Sequence, residues 1–126
     1  MTIAEVSRKM DISADTLRYY ERIGLIPPVK RSKSGIRDYS EKDLGWISFA
    51  KCMRSAGISI EALIEYVALF QQGDDTITTR KQILIDQRDE LEKKIKEMQR
   101  TLAYLNTKLE HYEDMLVPKE RKLAEE

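Results

Sequence analysis

The residues with the densest chemistry are Asp15, Thr16, Arg18, Tyr19 and Arg22. Two guanidiniums, a phenol and a hydroxyl fall within a few residues of one another, and such groups donate to phosphates and to base edges. Wound at 3.6 residues per turn, Asp15, Arg18, Tyr19 and Arg22 share one side, with Thr16 at its edge, while Ala14, Leu17, Tyr20 and the stem of Glu21 gather on the other. Just downstream, Arg22, Lys30, Arg31, Lys33 and Arg37 follow one another with no acidic residue after Arg22. That cationic stretch suits a polyanion.

The elements that must position these groups are marked by their ends. Ser13 is a helix N-cap, Gly24 fits a C-cap, and Pro27-Pro28 prevents continuation, so a short helix is expected between them. Thr2 and Glu5 form a capping box for a first helix with Ile3, Val6 and Met10 inward. Asp11-Ile12 is a tight turn in which Asp tolerates a left-handed backbone. Two helices joined so closely read as a helix-turn-helix. Val29 to Tyr39 reads as strand, turn and strand, with Gly35 in the turn and a basic tip, a small wing beside the second helix.

A second capped pair follows. Ser40 starts a helix running to about Ser55, with Phe49, Cys52, Met53 and Ala56 on an apolar side and Trp46 at its margin. Gly57 breaks it. Ser59 starts the next helix, with Leu63, Val67 and Phe70 as its stripe, and Gly73 ends it. This pair reads as structural, with Lys51 or Arg54 as additional phosphate contacts.

From Ile77 to Leu116 there is no Gly or Pro. Steps of three and four pass through Leu84, Arg88, Leu91, Ile95, Met98, Leu102, Leu105, Leu109, Tyr112 and Leu116, the pattern of a coiled-coil seam. A helix of about forty residues is roughly 60 Å long, more than a small head can cover, so a partner chain is expected. Leu84, Leu91, Ile95, Met98, Leu102, Leu105, Leu109 and Tyr112 are the expected dimer interface. Pro118 is expected to end the helix and leave a loose, charged tail.

The 126 residues carry no net charge, yet the charge is polarised. Residues 1–58 hold 11 Lys/Arg against 7 Asp/Glu, and residues 59–126 hold 11 against 15. Only the front half is therefore expected to meet a polyanion. One cysteine allows no intrachain disulfide, and no leader or membrane span is legible, so a cytoplasmic protein is expected. The single His111 lies far from Cys52, which gives no metal site with ordinary ligand spacing. No nucleophile stands beside a base and no glycine-rich loop cradles a phosphate, so neither an enzyme nor a cofactor is expected.

Leu17-Arg18-Tyr19-Tyr20-Glu21, followed by Gly24-Leu25-Ile26, resembles the signature of MerR-family transcriptional regulators. The resemblance runs from about Ile3 to Leu116. It implies a mainly α fold: a winged helix-turn-helix DNA-binding head, residues 1–73 with the second helical pair, a coiled-coil dimerisation helix at 74–117 packed antiparallel, and a charged tail at 118–126. The implied partners are double-stranded promoter DNA, a second copy as homodimer, and RNA polymerase indirectly, through a promoter that the bound dimer bends and untwists. Ser13, Thr16, Arg18, Tyr19, Lys33, Arg37 and Tyr39 are the expected DNA-binding residues, with Tyr39 open between packing and phosphate. Metal-sensing members carry paired cysteines after the long helix, and longer members carry a drug-binding domain; this sequence shows neither. Lys51-Cys52-Met53-Arg54 resembles the region holding the sole cysteine of aldehyde- and thiol-stress-responsive members, which makes Cys52 the sensor candidate. The competing reading is an inert, packed cysteine. For the chain as a whole, the alternative is a coiled-coil interaction module whose helix-turn-helix serves protein contact; the acid-free basic stretch argues for DNA.

Overall fold

A computed structural model describes residues 1–125; Glu126, the last residue of the expected tail, lies outside the described residues. The chain divides into two compact units, residues 1–88 and residues 89–126, with the boundary inside the long helix.

The first unit is built from capped helices. Helix α1, Ile3–Met10, begins with the Thr2/Glu5 capping box, and its C-cap Asp11 adopts φ 51°, ψ 56°. Helix α2, Ala14–Ile23, starts at Ser13, whose hydroxyl accepts from the Thr16 N–H, and stops at Gly24 with φ 84°. Helix α3, Glu41–Ser55, carries a Ser40/Asp43 capping box, and helix α4, Ile60–Gln72, starts at Ser59. A 3-10 turn at Asp74–Thr76 then leads into helix α5, Ile77–Glu110. Asp74 and Asp75, which follow the Gly73 stop, are thus already helical.

The core of this unit joins Val6 of α1, Leu17 and Tyr20 of α2, Leu25, Ile26 and Val29 of the crossing loop, Tyr39, and Leu44, Ile47 and Ala50 of α3. The α3 stripe differs from the sequence expectation. Cys52 and Ala56 are exposed, and the face carrying Trp46, Phe49 and Met53 is only partly buried. Helix α3 is apolar on two sides, so periodicity alone picks out either one. The second side forms an aromatic cluster with α4: Trp46 lies 4.8 Å from Phe70 and Phe49 lies 5.7 Å from Tyr66, centroid to centroid.

The wing is smaller than the expected hairpin. Among the described residues there is no strand, only one antiparallel bridge between Arg31 and Arg37. Its turn is closed by short-range bonds: Ser32 N–H to Ile36 O at 2.7 Å, and Gly35 N–H to Ser32 O at 2.9 Å. A ladder this short cannot stand alone. It is tied down at its base, where Tyr39 N–H donates to Met1 O and the Met1 amino group bonds Asp38 and Tyr39 O.

Helix α5 is fastened to the first unit along its opening turns. The Thr76 hydroxyl is 2.7 Å from both Leu69 O and Gly73 O, Arg80 Nε donates to Thr76, and the Arg80 guanidinium stacks over Phe70. Gln87 Oε1 accepts from Ser59 N–H at 3.5 Å.

In the second unit the regular helix ends before Pro118. The chain turns at His111, passes through a π-helical turn at Tyr112–Leu116, and resumes as helix α6, Val117–Glu125. The proline opens a helix instead of ending one. Its ring would clash with the carbonyl four residues back in a regular α-helix. The wider turn removes that conflict, and Val117 N–H bonds Tyr112 O across it. The stretch expected to be loose is therefore helical through Glu125. A hydrogen bond between Tyr112 and Glu120 holds the phenol above its ordinary pKa and ties α6 to the turn.

Gly24 gives a direct test of the α2 exit. A Cβ there would meet Ile64 Cγ2 at 3.8 Å, ordinary contact, so space does not demand glycine, whereas φ 84° does. Gly24→Ala is expected to cost about 1–2 kcal/mol in urea unfolding, and Gly24→Asn less, because Asn tolerates the left-handed region.

Candidate nucleic-acid interface

Burial of Leu17 and Tyr20 fixes the rotation of α2, which leaves Asp15, Arg18, Tyr19 and Arg22 exposed. These side chains are arranged in pairs. Arg18 Nη1 donates to Asp15 Oδ1 at 2.9 Å, and the Arg22 guanidinium sits 5.5 Å from the Tyr19 ring centroid. The Ser13 and Thr16 hydroxyls are 2.7 Å apart, and Ser13 also caps Thr16 N–H at 3.1 Å. The face is thus a set of preformed donors held by short-range partners.

The wing meets this helix through Glu21. Arg37 Nε donates to Glu21 Oε1 at 2.7 Å, while Glu21 Oε2 accepts from Val29 N–H at 3.2 Å. Both side chains of the ion pair are mostly covered, Arg37 at 22% and Glu21 at 16% exposure. Among the described residues only Nε of the Arg37 guanidinium is paired, so its remaining N–H groups are donors beside the exposed face of α2. Arg31 closes the wing turn by donating to Gly35 O at 2.8 Å, and Lys33 is exposed at the tip.

Tyr39 is 2% exposed and belongs to the core. Burial pushes its phenol pKa up, with Glu21 adding to the rise and Arg37 and Arg18 opposing it. Its hydroxyl has no protein hydrogen-bond partner among the described residues. Lys51 and Arg54 are committed elsewhere. Lys51 Nζ donates to Met10 O at 2.6 Å and Asp11 O at 3.0 Å, capping the end of α1, and Arg54 donates to Ile58 O. Both side chains thus have the structural role expected of this helical pair, with further N–H donors left over. Cys52, between them in sequence, is an exposed free thiol.

In the second unit Ile95, Met98, Leu102, Leu105, Leu109 and Tyr112 are exposed, Met98 to 69%; Leu84 of the first unit and Leu91 of the second are half-buried. An apolar row of this extent on a charged helix is surface of the kind that association covers.

The sequence places Asp15, Thr16, Arg18 and Tyr19 on one helix face with Ser13 at its cap; it does not reveal that Asp15 pairs with Arg18 or that Glu21 pairs with Arg37. A signal for Glu21 was available: a carboxylate on the apolar margin of a helix needs a cation, and with Arg18 and Arg22 on the other side of α2 the basic wing is where one could come from.

Residues 1–69 match the family described as MerR HTH family regulatory protein, and residues 44–108 match that described as MerR, DNA binding. The chain belongs to the MerR family. Among MerR-family relatives, the HTH-type transcriptional regulator AdhR of Bacillus subtilis is 63% identical over 91 residues, 72% of this chain. That match spans 65% of the relative's length. The crystal structure of a MerR family transcriptional regulator from Listeria monocytogenes superposes with TM-score 0.88 at 48% identity, covering 99% of this chain and 95% of that one. The structure of HiNmlR, a MerR family regulator lacking the sensor domain and bound to promoter DNA, gives TM-score 0.80 at 34% identity, with 92% of each chain covered. These solved structures carry the expected mainly helical fold.

The Glu21 junction is tested by Glu21→Gln, which keeps an acceptor for Val29 N–H but removes the charge that holds Arg37. The loss expected in denaturant unfolding is about 1.5–3 kcal/mol, the range for a hydrogen bond to a charged group, with an unchanged m-value. Glu21→Ala, which also strands the Val29 N–H, is expected to lose more.

Proposed function

We propose that this chain is a dimeric, sequence-specific DNA-binding regulator of transcription that reshapes promoter DNA in response to a signal. One observation carries the reading: over 92% of both chains it is similar to HiNmlR, a regulator crystallised on promoter DNA. The exposed Arg18 and Tyr19 face beside a basic wing supplies the matching chemistry. In this reading Arg18 reads base edges, Ser13, Thr16, Tyr19, Lys33 and Arg37 engage the backbone, and Tyr39 supports the wing from the core. Residues 1–73 form the DNA-binding head and 74–117 the dimerisation helix, whose apolar seam from Leu84 to Tyr112, exposed from Ile95 onward, meets a second copy. RNA polymerase is engaged indirectly, through the promoter. Among the described residues no helix is long and apolar enough to cross a membrane, and the proposed site of action is the cytoplasm. The relatives are transcriptional regulators, and we assign no catalytic role.

Arg18→Ala is expected to relax base preference and cost about 1–3 kcal/mol on the selected site. Arg37→Ala is expected to weaken all sequences alike and to flatten the salt dependence. Titrations of duplex DNA at several salt concentrations measure both. Unchanged site binding by Arg18→Ala would remove it from base reading. If the chain were a protein-docking module instead, the wild type would show no sequence preference at all.

For the signal we propose Cys52, on its resemblance to the sole cysteine of aldehyde- and thiol-stress-responsive members and on its exposure. Its sulfur adds to the carbonyl carbon of a small aldehyde, the thiol proton ends on the oxygen, and nothing leaves. Lys51, one peptide bond away, fastens the turn between α1 and α2. The adduct is expected by intact-protein mass on wild type and not on Cys52→Ser, with reporter induction by the aldehyde lost in the same variant. Equal induction in both removes the cysteine from the mechanism.

A further inference from the structure

Asp15 stands out on the face proposed to meet DNA. It is a carboxylate 97% exposed, on a face where DNA phosphates would repel it, and it is paired with Arg18, itself 46% exposed. An exposed i,i+3 pair adds little to stability; as an acid in the first turn of α2 the residue also favours the helix start, a role that does not need Arg18 as its partner. The pair does two other things. It occupies one Nη1 of Arg18, which fixes the guanidinium plane and leaves another edge free for a bidentate contact to guanine O6 and N7. It also brings an acceptor-only group into the same groove. Three residues along a helix amount to about 4.5 Å, close to the spacing of about 3.4 Å between neighbouring base pairs.

We propose that Asp15 is a specificity-determining residue: it accepts from the exocyclic amine of a cytosine at the base pair next to the guanine read by Arg18, and it rejects bases that present only acceptors there. This rests on the DNA-binding reading above. Guanine and thymine offer the major groove O6, N7 or O4 acceptors, which a carboxylate repels, while cytosine offers the N4 donor. Specificity of this kind is built from repulsion as much as attraction. The same negative charge lowers affinity for DNA in general, so the residue trades binding strength for discrimination.

The test is selection from a pool of duplexes with a random core, followed by titration of selected and unselected DNA, for wild type, Asp15→Asn, Asp15→Glu and Arg18→Ala. Asp15→Asn is expected to tighten binding to unselected duplex and to shrink the ratio of selected to unselected affinity by roughly tenfold. Its selected sites should lose the cytosine preference at one base pair per half-site, next to the one lost in Arg18→Ala. Asp15→Glu keeps the charge that favours a helix start but moves the carboxylate outward, so it should alter the preference at that same base pair. Wild-type preferences in both Asp15 variants, or an adenine in place of the cytosine in the wild-type site, overturn the proposal while leaving the DNA reading intact. No enrichment by the wild type overturns both. Circular dichroism of each variant confirms that α2 is formed.

Discussion

Glu21 sits where three pieces of the head meet. One oxygen takes the Val29 N–H of the crossing loop, and the other holds Arg37 of the wing. The wing has a single backbone bridge of its own; beyond the ties to Met1 at its base, this carboxylate is what links it to α2. The groups proposed to touch DNA stand on both sides of that junction. A helix with a well-formed polar face is of no use as a reader if the loop beside it drifts by an ångström or two. The mostly covered ion pair is what makes helix and wing one surface.

Much of the head was legible because its helix ends are written in local chemistry. Thr2/Glu5, Ser13, Ser40/Asp43 and Ser59 each cap the helix expected, and Gly24 and Asp11 take the left-handed conformations their residue types allow. Caps depend on a few adjacent residues, so the sequence exposes them directly. The outward face of α2 was legible for the same reason: burial of Leu17 and Tyr20 settles it.

What was not legible depended on neighbours distant in the chain. Lys51 and Arg54 read as free cations until their carbonyl partners at Met10, Asp11 and Ile58 are known. The inward face of α3 could not be chosen from a helix with apolar residues on two sides. Cys52 was read on the packed side and lies exposed. The hairpin reading overestimated the wing because β-propensity says nothing about whether a ladder has room to extend. The break near the end of α5 was placed at Pro118, where the rule about interior prolines points. The helix absorbs the proline by widening over the five residues before α6.

That widening has a geometric consequence for everything after it. A turn with one additional residue shifts the angular phase of all later side chains by about 100°, while the residues before it keep theirs. The stretch at Tyr112–Leu116 therefore works as an indexing joint. Residues added or removed there would re-aim whatever follows in steps of roughly a quarter turn, without altering the phase of the apolar row upstream. In a scaffold of this kind, the direction in which a downstream segment faces is a matter of residue count at one short turn.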